Sequence, residues 1–221
     1  HTGVHRTSGR IYKIAHRSHQ PQHRMIDIAT IGNAELVSMH RSDNEWAIRQ
    51  ARLVLHERAD AGQNLEETFD SLRALTRDDK QLTSVRAAMT LVACEQVDTN
   101  TSRDWLSSNN EYLRAWAIRA MFDEMAIDDV FGPRNTVQTV AQELLSRCVE
   151  VAKQDSSGLV RLALASSIQR LPIASRAELA VALMSRSEDA DDHNLPLLVW
   201  YGLMPVADAD PSSLVSVAMS S

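Results

Sequence analysis

Apolar and polar positions alternate along most of this chain with a period near 3.6, the pattern of helices that bury one stripe. Three segments share one layout: Asp43-Asn44-Glu45-Trp46-Ala47-Ile48-Arg49, Ser108-Asn109-Asn110-Glu111-Tyr112-Leu113-Arg114, and Asp155-Ser156-Ser157-Gly158-Leu159-Val160-Arg161. Each reads as a polar turn, an aliphatic residue, an arginine and then a helix rich in Ala and Leu. Ser84-Val85-Arg86-Ala87-Ala88 is a fourth copy, and Asp192 to Trp200 a degenerate fifth in which Leu198 stands where the arginine would be. The intervals between these positions are 37, 28, 47 and 37 residues (49 to 86, 86 to 114, 114 to 161, 161 to 198). A two-helix unit with loops of varying length fits them, near or below the roughly 40–47 residues of HEAT and armadillo units.

The residue before each marker is Ile48, Val85, Leu113, Val160 or Leu197; two after it stand Ala51, Ala88, Trp116, Ala163 and Trp200. That spacing predicts one inward stripe, with Trp116 and Trp200 packed between neighbouring second helices and Trp46 and Trp105 partly exposed near turns. Asp43 to Arg49 and Asp155 to Arg161 are six residues apart, the spacing with which a turn Asp and a second-helix Arg form a hydrogen-bonded ladder between HEAT units. The Asp can also cap its helix, and a buried guanidinium needs acceptors for its five donors. These pairs are therefore read as structural.

First helices are expected at Ala34–His40 behind an Asn33 cap, and over 65–75, 103–107, 136–152 and 176–187. Loops are expected at 128–135 and 189–194, with a closing helix at 212–219 after Pro211. The fold predicted is all-α: a right-handed α-solenoid of about five HEAT- or armadillo-like helix pairs over residues 25–221. Residues 1–24 read as an extended tail or linker from an upstream domain, because Arg10-Ile11-Tyr12-Lys13-Ile14 alternates like a strand and has no partner strand in this sequence. The opening His1-Thr2-Gly3, with no initiator Met and no signal peptide, predicts a piece of something longer.

Composition narrows the function classes. With 44 % hydrophobic residues an ordered core is within reach almost throughout, and with 7 Gly and 6 Pro the turns that many strands require are scarce. A net charge of −6 argues against nucleic acid, whose phosphates reward a basic excess. No window approaches the ~20 apolar residues of a membrane span. Cys94 and Cys148 lie outside any CxxC motif and read as buried structural thiols, although a disulfide between them stays open.

Candidate chemistry is sparse. His16, His19 and His23 have metal-like spacing, but no Cys or carboxylate completes a set and no rigid second shell is indicated. Asp191-Asp192-His193 suggests an acid–base group, yet a solvated loop that caps the next helix accounts for it. No nucleophile elbow, P-loop, dinucleotide fingerprint or HExxH motif occurs. Arg52, Arg119 and Arg170 are placed along one solenoid face, where they read as solvated surface or as a binding face for an acidic partner. No catalytic, cofactor-binding or metal residue is assigned, and no cofactor is expected.

Two stretches carry a family resemblance. Gly3 to Ile14 resembles the end of the propeller domain, and Asp189-Ala190-Asp191-Asp192-His193-Asn194-Leu195-Pro196-Leu197-Leu198-Val199-Trp200-Tyr201-Gly202 the close of the HEAT-like region, in planctomycete-type membrane-bound dehydrogenase proteins. Residues 111–118 and 159–165 look similar too. The resemblance implies a sugar-dehydrogenase-like propeller upstream, a c-type haem domain downstream and an extracytoplasmic parent. It maps no catalytic or haem residue onto this chain, whose own localisation stays unassigned. The function expected is a scaffold and protein-interaction or spacer module, with protein as its partner. Two alternatives stand: a contribution to the active site of an adjacent propeller, and a HEAT-like nucleic-acid binder.

Overall fold

The computed structural model describes residues 27–129, 131–134 and 140–220, and among them there is no β-strand. The expected tail, its strand signal and the His16/His19/His23 set lie outside the described residues. The fold is all-helical. After a 3₁₀ turn at Ile28–Thr30 come α1 (Asn33–Ser38), α2 (Glu45–Asp60), α3 (Glu66–Leu75), α4 (Gln81–Ala93), α5 (Thr99–Leu106) and α6 (Glu111–Phe122). Then follow α7 (Gln142–Gln154), α8 (Gly158–Ser167), α9 (Ile173–Met184), α10 (Leu195–Leu203), α11 (Val206–Ala209) and α12 (Pro211–Ser220).

Each even-numbered helix up to α10 packs on the helix before it, and also on the next even-numbered one: α2 on α4, α4 on α6, α6 on α8, α8 on α10. On the other side α1 meets α3, α7 meets α9, and α9 meets α12. The apolar stripes explain this order. Ile48, Ala51 and Leu55 on α2, Ala87, Ala88 and Leu91 on α4, and Ala117 and Ile118 on α6 are all fully buried. Small Ala side chains on facing positions let helix axes approach closely, and the larger Leu and Ile fill the layer between.

Polar side chains start most of the second helices. Asn44 accepts from the backbone N–H groups of Trp46 and Ala47, Asn110 from that of Tyr112, and Ser157 from that of Val160. These caps satisfy donors that a helix start leaves open. The capping residues are thus Asn44 and Ser157 rather than the turn aspartates Asp43 and Asp155. Asn33 is not a cap either: it lies inside α1, behind Gly32, and its side chain accepts from Arg58. The first helices differ from expectation at their ends. Helix α5 starts four residues early, at Thr99, where Asp98 caps it; α7 starts at Gln142; α9 runs from Ile173 to Met184. Pro172 sits just before the first turn of α9 and pre-sets its entry.

Gly202 of α10 packs directly on Ile168, the residue that follows α8. A Cβ at Gly202 would lie 2.8 Å from Cβ of Ile168 and closer still to its Cγ2, so only glycine fits there. Cys94 and Cys148 are both free and buried, and burial pushes the thiol pKa up to about 11 and about 12 respectively.

Candidate interaction surface

The arginines divide according to their distance from the cap. Arg114 and Arg161 each stand four residues after one (Asn110 to Arg114, Ser157 to Arg161), and they behave alike. Arg114 donates from Nη1 to the carbonyl of Ser108 in its own turn (2.8 Å), and from Nε and Nη2 to the Asp155 carboxylate in the next turn (2.7 and 2.9 Å). Arg161 repeats the arrangement with the carbonyl of Asp155 (2.7 Å) and the carboxylate of Asp189, Nη2 to Oδ1 being 2.6 Å and Nε donating to Oδ2. The carboxylate bound by each arginine belongs to the following turn, not to the aspartate six residues earlier. Asp155 serves its own Arg161 only through a backbone carbonyl.

Arg49 and Arg86 stand five and six residues after their caps (Asn44 to Arg49, Lys80 to Arg86). At ~100° per residue each is turned away from the direction Arg114 and Arg161 take. Arg49 is exposed, and among the described residues neither it nor Asp43 makes the predicted pair. Arg86 is buried and points backwards, to the carbonyls of Ser42 (2.9 Å) and His40 (3.3 Å) and the carboxylate of Glu45. In α10 the marker is Leu198, no arginine grips a following turn, and the helix is rotated to bury Leu195, Val199, Gly202 and Leu203.

The sequence reading missed two participants. Arg176, fully buried on α9, binds both carboxylate oxygens of Asp128 (2.6 and 3.0 Å) and the carbonyls of Leu171 (2.9 Å) and Gly202 (3.0 Å). Asp189, expected in an open acidic loop, is the buried partner of Arg161. The polar pair Asp128/Arg176 gave no local sign of itself, since its members are 48 residues apart.

Burial alone would raise the pKa of Asp155, but the hydrogen bonds from Arg114 and the Ser157 N–H outweigh it and hold the carboxyl below the ordinary range. His40 is buried beneath α4. Its Nδ1 donates to the carbonyls of Leu36 and Val37 (3.1 Å each) and its Nε2 accepts from the Thr90 hydroxyl (2.8 Å). Desolvation lowers its pKa, with the nearby Arg52 and Arg86 charges acting in the same sense. Asp192 receives the backbone N–H groups of Leu195 (2.7 Å) and Asn194 (2.8 Å), which lower its pKa, and that is the geometry of a helix cap.

Arg52, Arg119 and Arg170 do not form one open basic face. Arg52 is half-buried against Thr90 and Met89. Arg170 reaches the carbonyls of Phe122 and Asp123 (3.3 Å each) and of Met125 at the end of α6. Arg119 lies over the half-buried Trp116 ring, 5.2 Å from its centre, and shares a groove of about 260 Å³ with Arg170. Among the described residues no group of three His, Cys, Asp or Glu side chains could hold a metal ion, and no helix is long and apolar enough to cross a membrane.

Several large apolar side chains also lie on the outside. Trp105 is buried (3 % exposed), whereas Trp46 (61 %) and Trp200 (62 %) are on the surface. Trp200 is therefore not packed between second helices as its repeat position predicts, because the rotation of α10 turns it outward. Tyr201, Leu197 and Met204 are exposed with it. Beside them a groove of about 360 Å³ runs along α9 and α10 past Leu183, Met184, Pro196 and Val199. A wider, charged cleft of about 930 Å³ opens between α5, α6 and α7, edged by Arg103, Glu143, Arg147 and Glu150. No family model, no curated protein and no solved structure matches the chain.

Proposed function

We propose that this chain is a scaffold, a right-handed stack of about five HEAT- or armadillo-like helix pairs that binds and spaces protein domains and performs no catalysis of its own. The reading rests most on one observation: Arg114 with Asp155 and Arg161 with Asp189 repeat a single link, from the second helix of one pair to the turn of the next. A recurring link between neighbours is what a quasi-one-dimensional stack needs. The buried titratable groups also have structural work, since Asp155, Asp189 and His40 are bound to helix ends and turns. The resemblance to planctomycete-type dehydrogenase proteins supplies the larger setting, a spacer between a propeller and a haem domain, and the coding sequence on either side would test it directly.

The stack is tested by hydrogen exchange on the Arg161→Ala variant. If each pair depends on its neighbours alone, protection falls in α7 to α10 and changes little in α1 to α4. An equal loss of protection from α2 to α10 would mean one indivisible globule.

A further inference from the structure

We infer that the outer face of α10 is a docking site for one amphipathic helix of a partner protein, apolar along its inner stripe and basic at its ends. This deepens the scaffold reading and rests on it. Leu197, Trp200 and Tyr201 on α10 and Met204, which caps its end, fall at positions i, i+3, i+4 and i+7, and all four are exposed. They lie opposite the face that α10 buries with Leu195, Val199 and Gly202. A helix apolar on both faces is ordinarily covered on both. Here α8 covers one side, while α11 and α12 lead the chain onto α9 and leave the other open.

Continuity identifies the shape of the occupant. Helices α4, α6 and α8 each lie between two second-layer neighbours, so the open side of α10 is where another helix of that layer would sit. On α2, by contrast, the exposed Trp46 and Leu53 are interrupted by Arg49, Glu57 and Asp60, so that face is mixed rather than continuously apolar.

Charge identifies the ends of the occupant. Asp191 and Asp192 precede α10, and Asp208 follows it, all exposed. The nearby Arg186 is engaged by Glu188 and the carbonyl of Lys153. Like charges would repel a second copy brought face to face, whereas Lys or Arg at the ends of an apolar helix would be drawn in.

The test titrates the full chain with a labelled synthetic helix of about five turns, leucines at i, i+3, i+4 and i+7 and lysines at both ends, read by fluorescence anisotropy. Saturable binding in roughly the micromolar range is expected. It should weaken about tenfold or more in Trp200→Ser/Tyr201→Ser, and similarly when the lysines become glutamates. Circular dichroism melting confirms that the variant folds, and Leu197→Gln/Met204→Gln serves if it does not. No saturation by about 100 µM, or equal affinity in the variants, overturns the proposal. So does sedimentation showing a dimer that the Trp200/Tyr201 variant abolishes, which would give the face to a second copy. Exchange in Arg161→Ala is read without the peptide, so a failed stack and a failed docking site give different results.

Discussion

Replacing Arg161 with Ala should cost about 3 kcal/mol of folding stability. The guanidinium side chain is 3 % exposed and that of Asp189 is 9 % exposed, so the pair is shielded from water. The substitution removes both donors to Asp189 and the donor to the Asp155 carbonyl, and it leaves the Asp189 carboxylate buried without its counter-charge. Removing one member of a buried pair costs roughly 3–5 kcal/mol. Asp189 lies near the open loop at 190–194, where water entering the vacated space offsets part of that, which brings the figure to about 2–4 kcal/mol. For a domain of this size the melting temperature should fall by roughly 6–12 °C.

Urea denaturation followed by circular dichroism measures the change, provided the slope with denaturant is unaltered. The double variant Arg161→Ala/Asp189→Ala should be less destabilised than the sum of the singles, by at least about 1 kcal/mol, because neither charge is then stranded. A loss under ~0.5 kcal/mol for Arg161→Ala, as at an ordinary surface site, or strict additivity in the double variant, would refute the link between neighbouring pairs.

Acid should destabilise the protein in two stages. The folded pKa of His40 is lowered, so its contribution is complete above the unfolded value near 6.5 and is lost as pH falls below it; a His40→Gln variant that kept this stage would contradict the assignment. The Asp155 pKa is likewise depressed, and its contribution disappears only below about pH 4–5; Arg114→Met should shrink that stage, which Asp78, Asp98, Glu188, Asp192 and Asp210 share, and an unchanged acid limb of the stability curve would count against the Arg114–Asp155 link. Gly202→Ala should destabilise by roughly 1–3 kcal/mol through its overlap with Ile168, and a neutral result in thermal melts would mean that α8 and α10 do not meet so closely. Cys94 and Cys148 should resist a thiol reagent near pH 8 until the chain unfolds, so rapid native labelling of both would refute their burial.

The helices were legible because their stripes are local: Val160, Ala163 and Leu164 announce α8 within one turn and a half. The Arg114–Asp155 and Arg161–Asp189 links were legible only in outline. Counting six residues from Asp43 and Asp155 picks the right residue types but the wrong bonds, since the direction of an arginine depends on its distance from the cap, and the cap is chosen by which Asn or Ser orients its oxygen onto the first turn. Counted from Asn44, Lys80, Asn110 and Ser157, the same sequence separates Arg114 and Arg161 from Arg49 and Arg86. Trp200 was misplaced for a related reason. Its repeat position is inward in α2, α4 and α8, but Leu198 cannot grip a turn and Gly202 draws a different face of α10 against Ile168. Nothing local marks Asp128 as the partner of Arg176, because only the packing of α9 brings them together.

The arginines also account for the electrostatic character of the surface. A net charge of −6 is modest for 221 residues, but the two signs are not equally placed. Arg58, Arg86, Arg114, Arg161, Arg170, Arg176 and Arg186 all donate to backbone carbonyls, most of them at helix ends, where unpaired carbonyls and the helix dipole favour a cation. Their charge is drawn inward and spent on the frame. Many of the acids stay outside, among them Glu57, Asp60, Asp191 and Asp208. The field that a partner meets is therefore more acidic than the overall balance suggests. Association with a basic partner should then slow as salt is raised past ~0.1 M, while the apolar contact at α10, which salt does not screen, sets how long the complex lasts.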